Sequence, residues 1–117
     1  MSGFDRSKRL LTPHQFQRVF RRSKRFGDDL LLLRVRYDRD QSPRLGLAIA
    51  KKHARLAVQR NRIKRQIRER FRLGFDSIPD GDYVFTNRPE AARASSEALG
   101  ASVSRLLKLA SQRKSRE

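Results

Sequence analysis

One stretch of the chain, residues 51–72, concentrates side chains that can bind phosphate. Five polar residues recur there at i, i+3, i+4, i+7 and i+11, and this spacing places them on one side of an α-helix. They form the basic stripe: Asn61, Lys64, Arg65, Arg68 and Arg72. Glu69 is the only acidic residue between Arg60 and Arg72, although a helix that faces only water usually carries both signs of charge. The missing counter-charge is therefore expected to come from an anionic ligand.

The same helix has an apolar flank that must be buried. At about 100° per residue, four apolar side chains fall on one narrow side. They are Leu56, Ile63, Ile67 and Phe71. No Pro or Gly interrupts the segment, and Gly74 follows it, so the sequence predicts one helix over residues 56–72.

Three further arginines lie near the edges of this pattern. Arg70 projects beside the apolar flank, and its guanidinium is expected to extend past the core into solvent. The guanidinium of Arg60 can likewise extend past the core into solvent, or it can equally contact a ligand or a neighbouring backbone carbonyl. Arg62 lies to one side of the basic stripe and is expected to extend it.

The helix is preceded by a predicted strand with an unusual composition, residues 44–50. Its large side chains share one face, and the small residues Gly46, Ala48 and Ala50 share the other. Either a helix packs closely on this small face, or the face is the floor of a trough for an extended single strand of nucleic acid. Lys51 and Lys52 stand at the end of this strand, where they can meet phosphates.

Two aromatic residues are candidates for the wall of that trough. Thr12, Pro13 and Gln15 mark the start of a helix that runs to about residue 22. Phe16 and Phe20 lie one turn apart on it. Such a pair is either part of the core or exposes its ring edges for stacking against bases.

These elements belong to one α+β domain of 117 residues. The predicted order is α-β-β-α-β-α, with the helices packed on a small mixed sheet. Residues 23–29 are expected to form a loop, with strands over 30–37 and 82–87. The last helix is expected to start near Ser95 or Ser96 and to end near Ala110, and residues 1–8 and 111–117 are predicted to be flexible tails.

Composition narrows the class of partner. The net charge is +17, and 22 of the 29 cationic residues are Arg, which favours bidentate phosphate contacts over simple attraction to a membrane surface. The chain has no Cys, and no apolar run approaches the roughly 20 residues of a membrane span. The cell interior, and hence the cytoplasm, is the expected compartment, with no membrane partner.

No arrangement of residues resembles the active site of a hydrolase. The carboxylates are scattered, His14 and His53 stand alone, and no nucleophile has an adjacent base. We therefore predict neither protein-borne catalytic residues nor a protein-bound metal. A ribosomal protein and a DNA-binding regulator remain alternatives, although the helix is too uniformly cationic to read a DNA sequence.

The segments 44–52 (RLGLAIAKK) and 57–69 (AVQRNRIKRQIRE) together closely resemble the signature of the protein component of bacterial ribonuclease P. The likeness extends to Arg9-Leu10, to the spacing of Phe16 and Phe20, and to the overall length and charge. It implies a partnership with a catalytic RNA, cleavage of precursor tRNA to release the mature 5′ end, and Mg²⁺ held mainly by the RNA. It also implies a left-handed βαβ crossover, an exception to the usual right-handed rule.

The resemblance also assigns roles to residues. It implies that the catalytic RNA is bound by Arg60, Asn61, Arg62, Lys64, Arg65, Arg68 and Arg72. It implies that the 5′ leader lies in a cleft formed by Phe16, Phe20, Arg34, Ala48, Ala50, Lys51 and Lys52. Many members of the family place an aromatic residue near the position of Arg34, so leader contact there is expected to be ionic instead of stacking.

Overall fold

Three helices and a four-stranded mixed sheet make up the described part of this computed structural model, residues 8–9 and 12–115. In chain order the elements are α1 (Pro13–Arg21), β1 (Lys24–Gly27), β2 (Leu31–Tyr37), β3 (Arg44–Ala48), α2 (Ala57–Gly74), β4 (Gly81–Asn87) and α3 (Ser96–Ser115). Single 3₁₀ turns occupy Lys51–His53, Phe75–Ser77 and Pro89–Arg93. The predicted α+β class is confirmed. Residues 1–7 and 116–117, which belong to the predicted tails, lie outside the described residues.

The strand order in the sheet is β1-β2-β4-β3. β2 pairs with β1 and β4 in antiparallel orientation, whereas β3 and β4 are parallel neighbours. Parallel neighbours need a long crossover connection, and α2 supplies it. The left hand of this crossover stays a prediction. Arg9 adds one parallel bridge to Leu45 at the outer edge of β3.

The prediction of a loop over residues 23–29 was wrong, because β1 occupies Lys24–Gly27. Phe26 is the only apolar side chain in that segment, so the sequence there shows no apolar alternation. The strand forms because β2 supplies a pairing edge, with Phe26 opposite Leu33 and Lys24 opposite Val35. Its existence therefore depends on a tertiary partner and not on local pattern.

The turn after β1 is fastened to the rest of the fold by Asp28. Its carboxylate accepts hydrogen bonds from the N–H groups of Leu30 and Leu31, from the Ser102 hydroxyl and from the Arg105 guanidinium. Burial by itself raises the pKa of Asp28, but these hydrogen bonds and the nearby Arg105 charge outweigh it and hold the pKa below its ordinary value. Asp28 thus joins the β1–β2 turn to α3.

The main core lies between one face of the sheet and the helices α2 and α3. The flank of α2 predicted to be apolar supplies Ile63, Ile67 and Phe71, all fully buried. Phe71 packs edge-on against Tyr83, with 5.5 Å between the ring centroids. The predicted stripe of α3 is buried as well: Leu99, Val103, Leu106 and Leu107.

Other differences from the predictions lie at element boundaries, such as β3, which was predicted over 44–50 and ends at Ala48. Leu56 was expected in the core but is 59% exposed, because the helix begins after it. The Leu56 N–H donates to Oε1 of Gln59 and thereby caps the first turn. α2 ends at Gly74, and α3 continues beyond Ala110 to Ser115. Both helices therefore extend further toward the C terminus than the sequence predicted.

Candidate nucleic-acid interface

The basic stripe of α2 faces away from the core, as its spacing predicts. Arg65, Arg68 and Asn61 are exposed, and Lys64 is half-buried beside them. Within residues 8–9 and 12–115, neither Arg65 nor Arg68 forms an ion pair with a carboxylate. Their charges are therefore available to an external anion.

Arg72, the last residue of the stripe, has a partner within the chain. Its Nη2 lies 2.8 Å from Oε2 of Glu69, one turn earlier. Both side chains are exposed, and ion pairs of this kind contribute only about 0–1 kcal/mol. Glu69 is thus a weak competitor for a phosphate at this position.

Arg60 and Arg62 turn toward the protein and bind backbone carbonyls. Nη1 of Arg60 donates to the carbonyl oxygens of Ala54 and Arg55, at 2.9 and 2.8 Å. Nη2 of Arg62 donates to the carbonyl oxygen of Ala92, at 3.1 Å. Arg60 thereby holds the segment before α2, and Arg62 holds the segment before α3. The contact of the two arginines with RNA stays a prediction.

Arg70 lies over a glycine on the neighbouring helix. Its Nη1 donates to Oγ of Ser104, at 3.3 Å. A Cβ atom at Gly100 would come within 2.8 Å of Nη2 of Arg70 and 3.0 Å of Oε1 of Gln66. The glycine therefore leaves room for the Arg70 and Gln66 side chains to lie directly against α3.

The second predicted surface lies on the opposite face of the sheet, where α1 packs. The predicted helix start is confirmed, since Oγ1 of Thr12 accepts from the N–H of Gln15 and Oε1 of Gln15 accepts from the N–H of Thr12. Val19 of α1 is fully buried against Val84. This contact places α1 over the centre of the sheet and leaves β3 at the edge beside it.

The small residues of β3 lie next to the aromatic side of α1. Phe16 is half-buried and packs with Ala48 against the Val19–Val84 contact. Phe20 is 45% exposed, and the Arg34 guanidinium lies over its ring, 4.9 Å from the centroid. Phe16 therefore contributes to packing, whereas Phe20 together with Arg34 presents an exposed cationic and aromatic surface.

The segment that follows β3 is anchored by a residue that the sequence analysis missed. β3 ends at Ala48, but Asn87 on β4 holds Ala50 through two hydrogen bonds, from the Ala50 N–H to Oδ1 and from Nδ2 to the Ala50 carbonyl. Asn87 is 2% exposed. Lys51 and Lys52 follow in an exposed 3₁₀ turn. We call the two hydrogen bonds with Ala50 the Asn87 clamp. Its one signal in the sequence is an isolated amide side chain at the end of a predicted strand.

At the other end of the same face, a buried carboxylate neutralises two arginines. Asp82 on β4 is fully buried and accepts two hydrogen bonds from Arg44, at 2.9 and 3.1 Å. Arg36 lies 3.8 Å from the same carboxylate and 3.3 Å from Asp38. The positive charge of Arg36 and Arg44 is thus partly balanced within the fold, unlike that of Arg65 and Arg68.

The described segments, 8–9 and 12–115, contain neither a metal-binding cluster nor a helix suited to cross a bilayer. No group of three or more His, Cys, Asp or Glu side chains there could hold a metal ion. None of the helices in those segments combines the length and the apolarity that a bilayer crossing requires.

Comparison with known proteins identifies the family of this fold and surface. The family model described as Ribonuclease P matches residues 4–111. The ribonuclease P protein component of Escherichia coli O157:H7 is 40% identical over 104 residues, which cover 89% of this chain and 87% of that protein. That of Ectopseudomonas mendocina is 53% identical over 88 residues, and the match spans 74% of this chain and 65% of that relative.

Solved structures give the same result. The Staphylococcus aureus RNase P protein superposes with a TM-score of 0.81 at 27% identity and covers 88% of this chain and 94% of its own. The RNase P protein from Thermotoga maritima gives a TM-score of 0.75 at 27% identity, over 86% of this chain and 96% of its own. Sequence and fold together show that the chain belongs to the ribonuclease P protein family.

Proposed function

We propose that this chain binds the catalytic RNA of ribonuclease P through α2 and holds the 5′ leader of precursor tRNA in the cleft beside α1. The complex then removes the leader and releases the mature tRNA 5′ end. Family membership favours this role over that of a ribosomal protein or a DNA-binding regulator. Because precursor tRNA is the substrate, the proposal also places the protein in the cytoplasm.

The observation that carries the proposal is the unneutralised side of α2. Arg65 and Arg68 are exposed one turn apart and have no carboxylate partner in the described residues, while the opposite side of the helix is fully buried. Like charges at this spacing repel each other by a few tenths of a kcal/mol. A structured RNA removes this penalty, because its backbone supplies regularly spaced phosphates and releases counterions on binding.

The cleft beside α1 suits an extended single strand. Ala48 offers only a methyl group beside Phe16, and Phe20 with Arg34 offers a surface on which a base can stack. Lys51 and Lys52 stand exposed where the floor ends, and the Asn87 clamp fixes the backbone just before them. A strand whose bases face α1 would therefore bring its phosphates to the two lysines.

The site residues of this chain fit a binding role, and no group of three or more acidic or histidine side chains among residues 8–9 and 12–115 fits the Mg²⁺ that the family resemblance implies. Mg²⁺ prefers oxygen ligands in octahedral geometry, and the described residues hold no cluster of acidic side chains. Asp28 and Asp82 accept hydrogen bonds from neighbouring side chains instead. In our proposal the RNA holds the ions and performs the cleavage, and the protein reduces phosphate repulsion and positions the leader.

One reconstitution tests this proposal. The protein is mixed with the cognate catalytic RNA at low Mg²⁺, and cleavage of a precursor tRNA with a labelled 5′ leader is followed. We expect the protein to accelerate cleavage at the mature 5′ end. Equal rates with and without the protein, at every Mg²⁺ concentration, would reject the proposal.

A further inference from the structure

We propose that the groove between α2 and the start of α3 binds one unpaired nucleotide of the catalytic RNA. This nucleotide groove lies on the α3 side of the basic stripe and has a volume of about 540 Å³. Its lining residues are Val58, Asn61, Arg62, Arg65, Gln66 and Ser96. The inference rests on the proposed function, because it names a specific contact within the same RNA interface.

The lining combines apolar and amide groups with a single exposed cation. Val58 is 63% exposed, although the surrounding surface of α2 is strongly polar. Among the described residues, the side-chain amides of Asn61 and Gln66 make no hydrogen bonds. Each amide offers both donors and an acceptor. A purely electrostatic phosphate site needs neither the apolar contact nor the amides.

A nucleobase matches this set of groups. Its flat face is apolar, and its edge carries adjacent donors and acceptors that a side-chain amide can pair with. Arg65 at the rim can meet the phosphate of the same nucleotide. Bases within an RNA helix are hard to reach, so proteins read RNA mainly at loops and bulges, where a base can leave the stack. The ligand is thus an unpaired nucleotide.

The walls of the groove are fixed before any ligand binds. Arg62 forms one wall and is bonded to the Ala92 carbonyl, on the segment that leads into α3. Oγ of Ser95 accepts from the N–H of Ala98 and caps α3 next to Ser96. One turn further on, the side chains of Gln66 and Arg70 lie directly against Gly100 of α3. A preformed groove loses less entropy on binding than a mobile one.

Paired variants test the assignment with the full protein and the cognate catalytic RNA. Asn61→Ala combined with Gln66→Ala removes both amides and no charge. We expect this double variant to bind the RNA about tenfold more weakly, because it loses the amide contacts to the edge of the base. Its salt dependence should equal that of the wild type, because the number of phosphate contacts is unchanged. Gln112→Ala, an exposed amide at the far end of α3, is the matched control and should bind normally.

Chemical probing of the RNA bases gives a second measurement. The wild type should protect one unpaired base, and the double variant should leave that base reactive while other protections persist. Val58→Trp fills the groove from an exposed position, so it should fold normally and lose the same single protection. This second variant keeps the test valid if the amide changes disturb α2.

The two proposals fail in different ways. If the wild type does not bind the catalytic RNA, the proposed function fails. If the wild type binds but both groove variants give wild-type affinity and an unchanged base footprint, only the nucleotide groove is rejected. A weaker complex with a changed salt dependence also rejects it, because the amides would then act through phosphate contacts.

Discussion

Replacing Arg65 and Arg68 together by Ala tests whether the exposed side of α2 meets RNA phosphates. Both guanidinium groups are exposed and unpaired within the described part of the chain, so their removal breaks no internal ion pair. Removing two like charges from one helix face also relieves repulsion. The variant should therefore unfold at a temperature no lower than the wild type, and any change in RNA binding reports on the interface itself.

The size of the effect follows from counterion release. Each phosphate contact contributes about 0.7–0.9 to the slope of log affinity against log salt concentration. Loss of two contacts should reduce the magnitude of the slope by about 1.4–1.8. Between 50 and 200 mM salt, the wild type should then lose about tenfold more affinity than the variant.

The assay is the binding of labelled catalytic RNA at several salt concentrations. Three single variants calibrate it. They are Arg65→Ala, Lys108→Ala, which removes an exposed cation on α3, and Arg72→Ala, whose guanidinium already pairs with Glu69. We expect no slope change for Lys108→Ala and a smaller change for Arg72→Ala than for Arg65→Ala. A slope for the double variant equal to that of the wild type would place the basic stripe away from RNA.

Three further changes test other parts of the structure. Phe20→Ala should weaken holoenzyme binding of leader-bearing precursor tRNA by about 1–3 kcal/mol, because one exposed ring is lost, and equal weakening for mature tRNA would contradict a leader contact. Asn87→Ala leaves the N–H of Ala50 without its partner, while the Ala50 carbonyl keeps the His53 N–H, so urea unfolding should show a loss of about 1–3 kcal/mol, and unchanged stability would contradict the clamp. Asp28→Asn tests the lowered pKa of Asp28. A carboxylate whose pKa in the folded state lies below 3.8 stabilises the fold above pH 3.8. This stabilisation is lost as the pH falls through the lowered pKa. The difference in unfolding free energy between the wild type and Asp28→Asn should therefore be constant near neutral pH and shrink below pH 3.8, whereas a pH-independent difference would contradict it.

Local pattern was enough to predict the features that depend on near neighbours in sequence. The capping box of α1 joins residues three apart, and the buried flank of α2 repeats every three or four residues. The exposed positions of Arg65 and Arg68 follow from the same periodicity. Strand β3 was predicted for a similar reason, because its large and small side chains alternate.

The partners of individual side chains were decided by the tertiary structure. Angular position on α2 could not distinguish the inward Arg62 from the outward Arg65, because the carbonyl that binds Arg62 lies 30 residues away. Asn87 and Asp82 likewise bind groups 37 and 38 residues distant in sequence. β1 exists only because β2 offers it a pairing edge.

The sequence by itself therefore determined the positive charge of α2, the side of the helix that carries it and its suitability for an anionic partner, since these depend on composition and local spacing. Only the folded chain decided which arginines remain available to an external anion, because acceptors brought close by folding compete for each guanidinium. The same holds for the groove between α2 and α3, whose walls come from segments that are adjacent in space and distant along the chain.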